Sequence, residues 1–157
     1  MAWPDSAMAV ADSEKIMIIA TCSDKGSWST PVYYVFKEKL FYFFSNTESR
    51  HIIDAGIQIE KSGNNMIVGV SIFSDSPCFD DIKGLQMNGK IERISKQREA
   101  VIAARDYIKK FKINIGKKDG LQFIIQHFHA SLYKFIPEIV YYMDNHIKFG
   151  LSKKIMP

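Results

Sequence analysis

Residues 29–45 read STPVYYVFKEKLFYFFS. Two runs rich in Val, Tyr and Phe flank Lys37-Glu38-Lys39. β-Branched and aromatic residues suit a pleated surface, and a short polar break between two such runs predicts a tight hairpin. Side chains alternate along a strand, so Tyr33 and Tyr34 must point to opposite faces. Upstream, KIMIIATCS (15–23) is apolar on both alternating faces. That predicts a strand buried on both sides, with Cys22 buried in it. Asp24-Lys25-Gly26 supplies the turn between the first two strands. Three strands joined by short turns form an antiparallel meander, which excludes a β-α-β unit at this point.

The pattern extends in both directions. PDSAMAVADS (4–13) predicts a short helix. In SNTESRHIIDAG (45–56), Thr47 is expected to cap a helix that Gly56 stops. NNMIVGVSIF (64–73) is a further strand, and DSPCFDD (75–81) is a loop broken by Pro77. IKGLQMNGKIERIS (82–95) is a long strand whose two glycines mark bulges or bends. Ser95 is expected to cap an amphipathic helix over 96–111, with Val101, Ala104, Ile108 and Phe111 on one stripe. LQFIIQHFH (121–129) is a short helix capped by Asp119. SLYKFIPEIVYYMD (131–144) gives one or two final strands, with Pro137 forcing an edge or a break. No repeat or linker interrupts this order. The expected fold is α+β: a single domain over 1–157, built as a small antiparallel barrel with helices at its rim.

The 157 residues carry 46% apolar and 24% charged side chains, which excludes wholesale disorder. A net charge of +4 suits an anionic small ligand as well as a nucleic acid. The lysines at 109, 110, 112, 117 and 118 read as a solvated helix end complementing the helix dipole, so no nucleic-acid partner is expected. No apolar run approaches the about 20 residues of a membrane span. The first residues hold Asp5 and Asp12 without a basic run, so a signal peptide is not expected and the reading is cytoplasmic. Cys22 and Cys78 make no disulfide framework and read as reduced, incidental thiols. His127 and His129 diverge on a helix, so no metal site is expected. No side chain stands out as an acid, a base or a nucleophile.

The densest polar cluster is SNTESRH (45–51). Ser45, Thr47 and Ser49 offer hydroxyls, and Arg50 offers a planar fork that fits a phosphate. The alternative is an ordinary helix start with a surface arginine. Tyr33 or Tyr34 could flank a flat ring, or both could pack as barrel wall.

Three stretches resemble the FMN-binding split-barrel family, the superfamily of pyridoxamine 5′-phosphate oxidase. FFSNTESRH (43–51) is similar to that family's phosphate loop: an aromatic pair, Thr/Ser-Asn, then Ser-Arg-Lys. KGLQMNGKIERIS (83–95) resembles the strand that carries Gly-Lys-x-Glu-Arg-x-Ser into a helix. YYMDNHIKFG (141–150) resembles the Asp-Asn-x-x-x-Phe-Gly closing of small split-barrel proteins. The resemblance implies a six-stranded antiparallel split barrel that forms a homodimer and holds FMN at the interface. Ser49 and Arg50 would bind the phosphate, helped by Ser45, Asn46 and Thr47. Pro31, Val32, Tyr33 and Tyr34 would run past the isoalloxazine and offer backbone groups. Lys83 and Gln86 would come from the barrel strand at the interface. His51 stands where the family has a lysine, and a neutral imidazole attracts phosphate less. The chain has no arginine after Arg105, whereas pyridoxamine oxidases place arginines there for the substrate phosphate. The implied function is an FMN-dependent oxidoreductase acting on some other small molecule. The alternative is a non-catalytic holder of a flavin or of another flat cofactor such as haem.

Overall fold

The computed structural model describes residues 3–56, 66–116 and 119–156. Helix α1 (Asp5–Ser13) leads into strands β1 (Ile16–Ser23), β2 (Gly26–Tyr33), β3 (Val35–Lys37) and β4 (Leu40–Ser45). After α2 (Arg50–Asp54) come β5 (Val68–Phe73), a 3₁₀ turn at Phe79–Asp81 and β6 (Lys83–Arg93). Helices α3 (Gln97–Phe111) and α4 (Gly120–Phe128) precede β7 (Ser131–Asp144) and β8 (Ser152–Met156). The strands pair antiparallel in the order β2-β1-β5-β6-β7-β4-β3, with β8 also on β7.

One residue decides the shape. β2 and β3 lie at opposite ends of that order, yet only Tyr34 separates them in the chain. The sheet must therefore curl until its ends nearly meet, which makes a split barrel. Tyr34 sits fully buried at the seam and donates its hydroxyl to Ala11 O at 2.8 Å. The α+β class stands as read, but the expected three-stranded meander resolves into two hairpins, β1–β2 and β3–β4, at opposite ends of the sheet, and the described residues form eight strands instead of six. The expected second strand bends at Tyr34 into two, and Ser152–Met156 adds another on β7. The expected tight hairpin is a two-residue turn, with Glu38 and Lys39 both at positive φ.

Helix starts fall later than the sequence suggests. Asn46 Oδ1 accepts the Glu48 amide at 2.8 Å, so residues 46–49 form a turn and α2 begins after Ser49, not Thr47. The Ile94 amide still pairs with Leu132 O at 3.0 Å, which prolongs strand character. α3 therefore starts after Lys96, not Ser95. Asp119 caps α4 as expected, accepting the Gln122 amide at 2.9 Å. Pro137 does not break its strand, because β7 is continuous through it, but it does stand at a local edge. On one side of β7, pairing with β4 ends at Phe135 and pairing with β8 starts at Val140, so the missing N–H falls between two partners. On its other side, β6 shifts register between Asn88 and Gly89. Gly89 is required there, since a Cβ would run into Ile136 O.

Two cores form. Inside the barrel, Met17, Ile19, Phe41, Phe43, Val70, Leu85 and Phe135 pack together, closed by Ala7 and Val10 of α1 and Ile52 of α2. Outside, Ala100, Ala103 and Ala104 of α3 and Leu121 of α4 cover Val35, Tyr42 and Leu132. β4 is thus buried on both faces. β1 is not, contrary to the sequence reading: Met17, Ile19 and Thr21 face inward, while Ile16, Ala20 and Cys22 are exposed. The helices cover β3, β4 and β7 and leave the outer face of β1 open.

Candidate functional site

Strand alternation in β4 builds the site. Phe41 and Phe43 point into the barrel, Phe44 points out beneath α3, and Ser45 ends the strand in a buried position. The outward side opens on a cavity of about 690 Å³. Tyr33, Phe44, Ser45 and Asn46 line it from the barrel, and Tyr107, Lys110, Phe111 and Lys112 from α3 and its end. Four rings form a ladder along one wall. Phe44 meets Tyr107 edge-on at 5.1 Å, Tyr107 lies 4.6 Å from Phe111, and Phe111 lies 5.0 Å from Tyr33. Burial pushes the Tyr107 phenol up to about 12, so it stays protonated at neutral pH.

The phosphate-loop candidates divide into two groups. Ser45 and Asn46 touch the cavity. Thr47, Ser49, Arg50 and His51 belong to the turn and first residues of α2. Arg50 donates from Nε to Asp54 at 3.2 Å and from Nη2 to Lys25 O at 3.1 Å, and its guanidinium lies 4.5 Å over the Trp28 ring. It therefore pins α2 to the β1–β2 turn in a fixed orientation, with its side chain 34% exposed. His51 is buried, with Nε2 at 2.9 Å from Ser45 Oγ. Burial lowers its pKa from the ordinary 6.5, outweighing the Asp54 charge that would raise it. It is a neutral strut, not a second cation.

That burial predicts an acid sensitivity. The unfolded chain protonates His51 near 6.5 and the folded chain only at lower pH, so protons favour unfolding. The contribution is fully present above 6.5 and is lost as pH falls through the folded value. Urea midpoints measured above and below pH 6.5 should show a fall in the wild type and a smaller fall in His51→Gln. An equal fall in both would remove His51 from the account.

Tyr33 and Tyr34 take opposite faces as read: Tyr33 is 53% exposed at the cavity and Tyr34 is core. Sheet register joins Pro31 to Ile18, Ile18 to Ser71, Ser71 to Gln86 and Gln86 to Tyr141, all on the open outer face. Pro31 and Gln86 share this row but stand three strand spacings apart, roughly 14 Å. Val32 alternates to the other face and packs, half-buried, against the barrel core. Lys83 lies 3.6 Å from the buried Asp144, and neither Lys83 nor Gln86 lines the cavity. Lys110 is not the solvated cation expected from the sequence. It donates to Asp12 O and Glu14 O at the end of α1 and covers the Tyr34 ring at 4.5 Å. Lys117 and Lys118 lie outside the described residues. Sequence reasoning missed Lys15, Tyr107 and Lys112 as cavity residues. The signal was present: Tyr107 and Phe111 fall four apart on a helix whose buried positions are only alanines.

The sequence profile described as pyridoxamine 5′-phosphate oxidase matches residues 4–142. The chain belongs to the pyridoxamine 5′-phosphate oxidase family. Solved structures share the fold of this family member at low identity. A conserved hypothetical protein from Mycobacterium tuberculosis aligns with TM-score 0.71 and 14% identity, over 98% of this chain and 90% of its own. A haem-binding protein from Mycobacterium smegmatis gives 0.71 and 14%, over 99% and 60%. An FAD-binding protein from Mesorhizobium loti gives 0.60 and 14%, over 88% and 92%. No curated protein matches the sequence. Among the described residues, no helix is long and apolar enough to cross a membrane.

Proposed function

We propose that this chain is an FMN-binding oxidoreductase, one domain per subunit and a homodimer, acting on a small molecule other than pyridoxamine phosphate. One observation carries the reading: Ser45 and Asn46 belong both to the phosphate-loop motif and to the wall of an aromatic cavity. FMN is a flat ring with a phosphate tail, and this donor set suits both ends. Ser49 makes no capping bond with its own side chain, and Arg50 is held rigidly beside it. Ring binding belongs to the cavity wall and to the edge strand β2, where Pro31 to Tyr33 offer backbone groups. About 690 Å³ lies within the usual range of cofactor sites. When bound, the flavin supplies the hydride and electron chemistry, and the protein positions it. With His51 neutral, Arg50 is the loop's only cation and affinity is modest.

The dimer reading rests on the open face. Ile16, Phe73 and Tyr141 are exposed on the same side as Gln86. A second copy seated there would cover them and carry Gln86 toward the partner's flavin, whereas Lys83, three positions earlier on the strand, takes the other face beside Asp144. Sedimentation is expected to show twice the 18.0 kDa chain mass. A monomer at micromolar concentration overturns the shared site.

The visible spectrum of freshly purified protein tests the cofactor. Flavin absorbance, bleached by anaerobic NAD(P)H, is the expected result. A haem spectrum supports the alternative flat-cofactor reading. Colourless protein that takes up no added FMN refutes the flavin assignment.

A further inference from the structure

Trp28 is the one large side chain in the first half of β2, which otherwise reads Gly26, Ser27, Ser29 and Thr30. It belongs to neither core and is 44% exposed. Its ring instead meets Arg50, whose guanidinium carbon lies 4.5 Å from the ring centre. Register pairs Trp28 with Thr21 on β1, so the two side chains share one face of the hairpin, the face on which α2 packs. Thr21 in turn donates to Asp54 Oδ2 at 3.4 Å. One cross-strand pair therefore receives both partners of the Arg50–Asp54 ion pair, which stand four apart on α2.

This clamp leaves one end of the guanidinium open. Nε is taken by Asp54, and Nη2 by the carbonyls of Lys25 and Gly26 at 3.1 and 3.4 Å. Nη1 has no partner among the described residues. All the guanidinium N–H groups lie in one plane, so an indole over one face fixes that plane without using a donor. An arginine already held in place loses less freedom on meeting an anion than one that must first be ordered.

We propose that Trp28 is a positioning residue for Arg50 and thereby sets the preference for the phosphorylated flavin over riboflavin. This deepens the FMN reading and rests on it. Asp54 and the two carbonyls hold the guanidinium by its edge, Trp28 holds it by its face, and Nη1 is the group left for the phosphate. Trp28 acts through Arg50 alone.

The test is a double-mutant cycle on the full chain, with FMN and riboflavin titrated separately and followed by flavin fluorescence. The variants are Trp28→Leu, Trp28→Phe, Arg50→Ala and Trp28→Leu/Arg50→Ala. Position 28 is partly exposed and outside both cores, so its substitution leaves the fold intact. Loss of the stacking should cut the FMN-over-riboflavin preference roughly two- to fivefold in Trp28→Leu. Trp28→Phe keeps a ring and should recover part of it. With Arg50 already replaced by Ala, Trp28→Leu should change the preference no further, because nothing is left to position. A ring needed only for the fold would weaken both flavins alike, so an unchanged preference in Trp28→Leu overturns the proposal. An equal fall with and without Arg50 overturns it too, since Trp28 would then act independently. A chain that takes up neither flavin refutes the FMN reading and this assignment with it. FMN uptake with an unmoved preference refutes the assignment alone.

Discussion

Arg50→Ala is expected to weaken FMN binding roughly 10- to 150-fold, since a hydrogen bond to a charged group contributes about 1.5–3 kcal/mol. Arg50→Lys should recover part of this, because a point charge cannot copy the fork. The structure adds a second consequence. Arg50 ties Asp54 to the β1–β2 turn, and the Asp54 side chain is only 6% exposed. Removing the guanidinium leaves that carboxylate with the Thr21 hydroxyl among the described residues. A stability loss of about 1–3 kcal/mol should accompany the binding loss. The two effects separate cleanly. Arg50→Ala/Asp54→Asn removes the stranded charge and should restore stability without restoring FMN binding. Riboflavin lacks the phosphate and should bind wild type and Arg50→Ala almost equally. If Arg50→Ala holds FMN as tightly as wild type, Arg50 is an anchor for α2 and the phosphate lies elsewhere.

Phe41→Ala is expected to cost about 3–5 kcal/mol of folding stability. Phe41 is fully buried and its ring centre lies within 6.3 Å of four others: Trp3, Tyr34, Phe36 and Phe135. It joins the segment before α1, the barrel seam, β3 and β7, so no single neighbour can move to fill the cavity. Melting should fall by roughly 6–20 °C for a chain of this size. Phe36→Ala, at a partly buried position, should cost distinctly less. A loss at Phe41 no larger than at Phe36 would contradict this core.

The local features were legible because local chemistry sets them. The Glu38-Lys39 turn, the Asp119 cap, the Gly56 stop at φ 72 and the opposed tyrosines all follow from a few neighbouring residues. The bulge at Gly89 was legible as a glycine in a strand, though its partner Ile136 was not. What failed depends on which element covers which face. KIMIIATCS is equally apolar on both sides, and only the placement of α3 decides that Ile16 and Cys22 stay outside. Lys110 reads as a solvated cation until α1 brings its carbonyls alongside. The phosphate-loop residues were legible from their motif. The cavity that two of them line was not, because its other wall comes from Tyr107 and Lys112, more than sixty positions later in the chain.

The single-residue link at Tyr34 also governs how the chain reaches its shape. The β1–β2 and β3–β4 hairpins can each form from near neighbours. The barrel closes only when Phe41 meets Phe135, across most of the chain. Closing so long a loop costs entropy before any contact repays it, and topologies of this kind fold in milliseconds to seconds. During that interval β4 and β7 present unpaired edges to other newly made chains. The same geometry that later shapes a ligand site therefore sets a time window in which aggregation competes with folding.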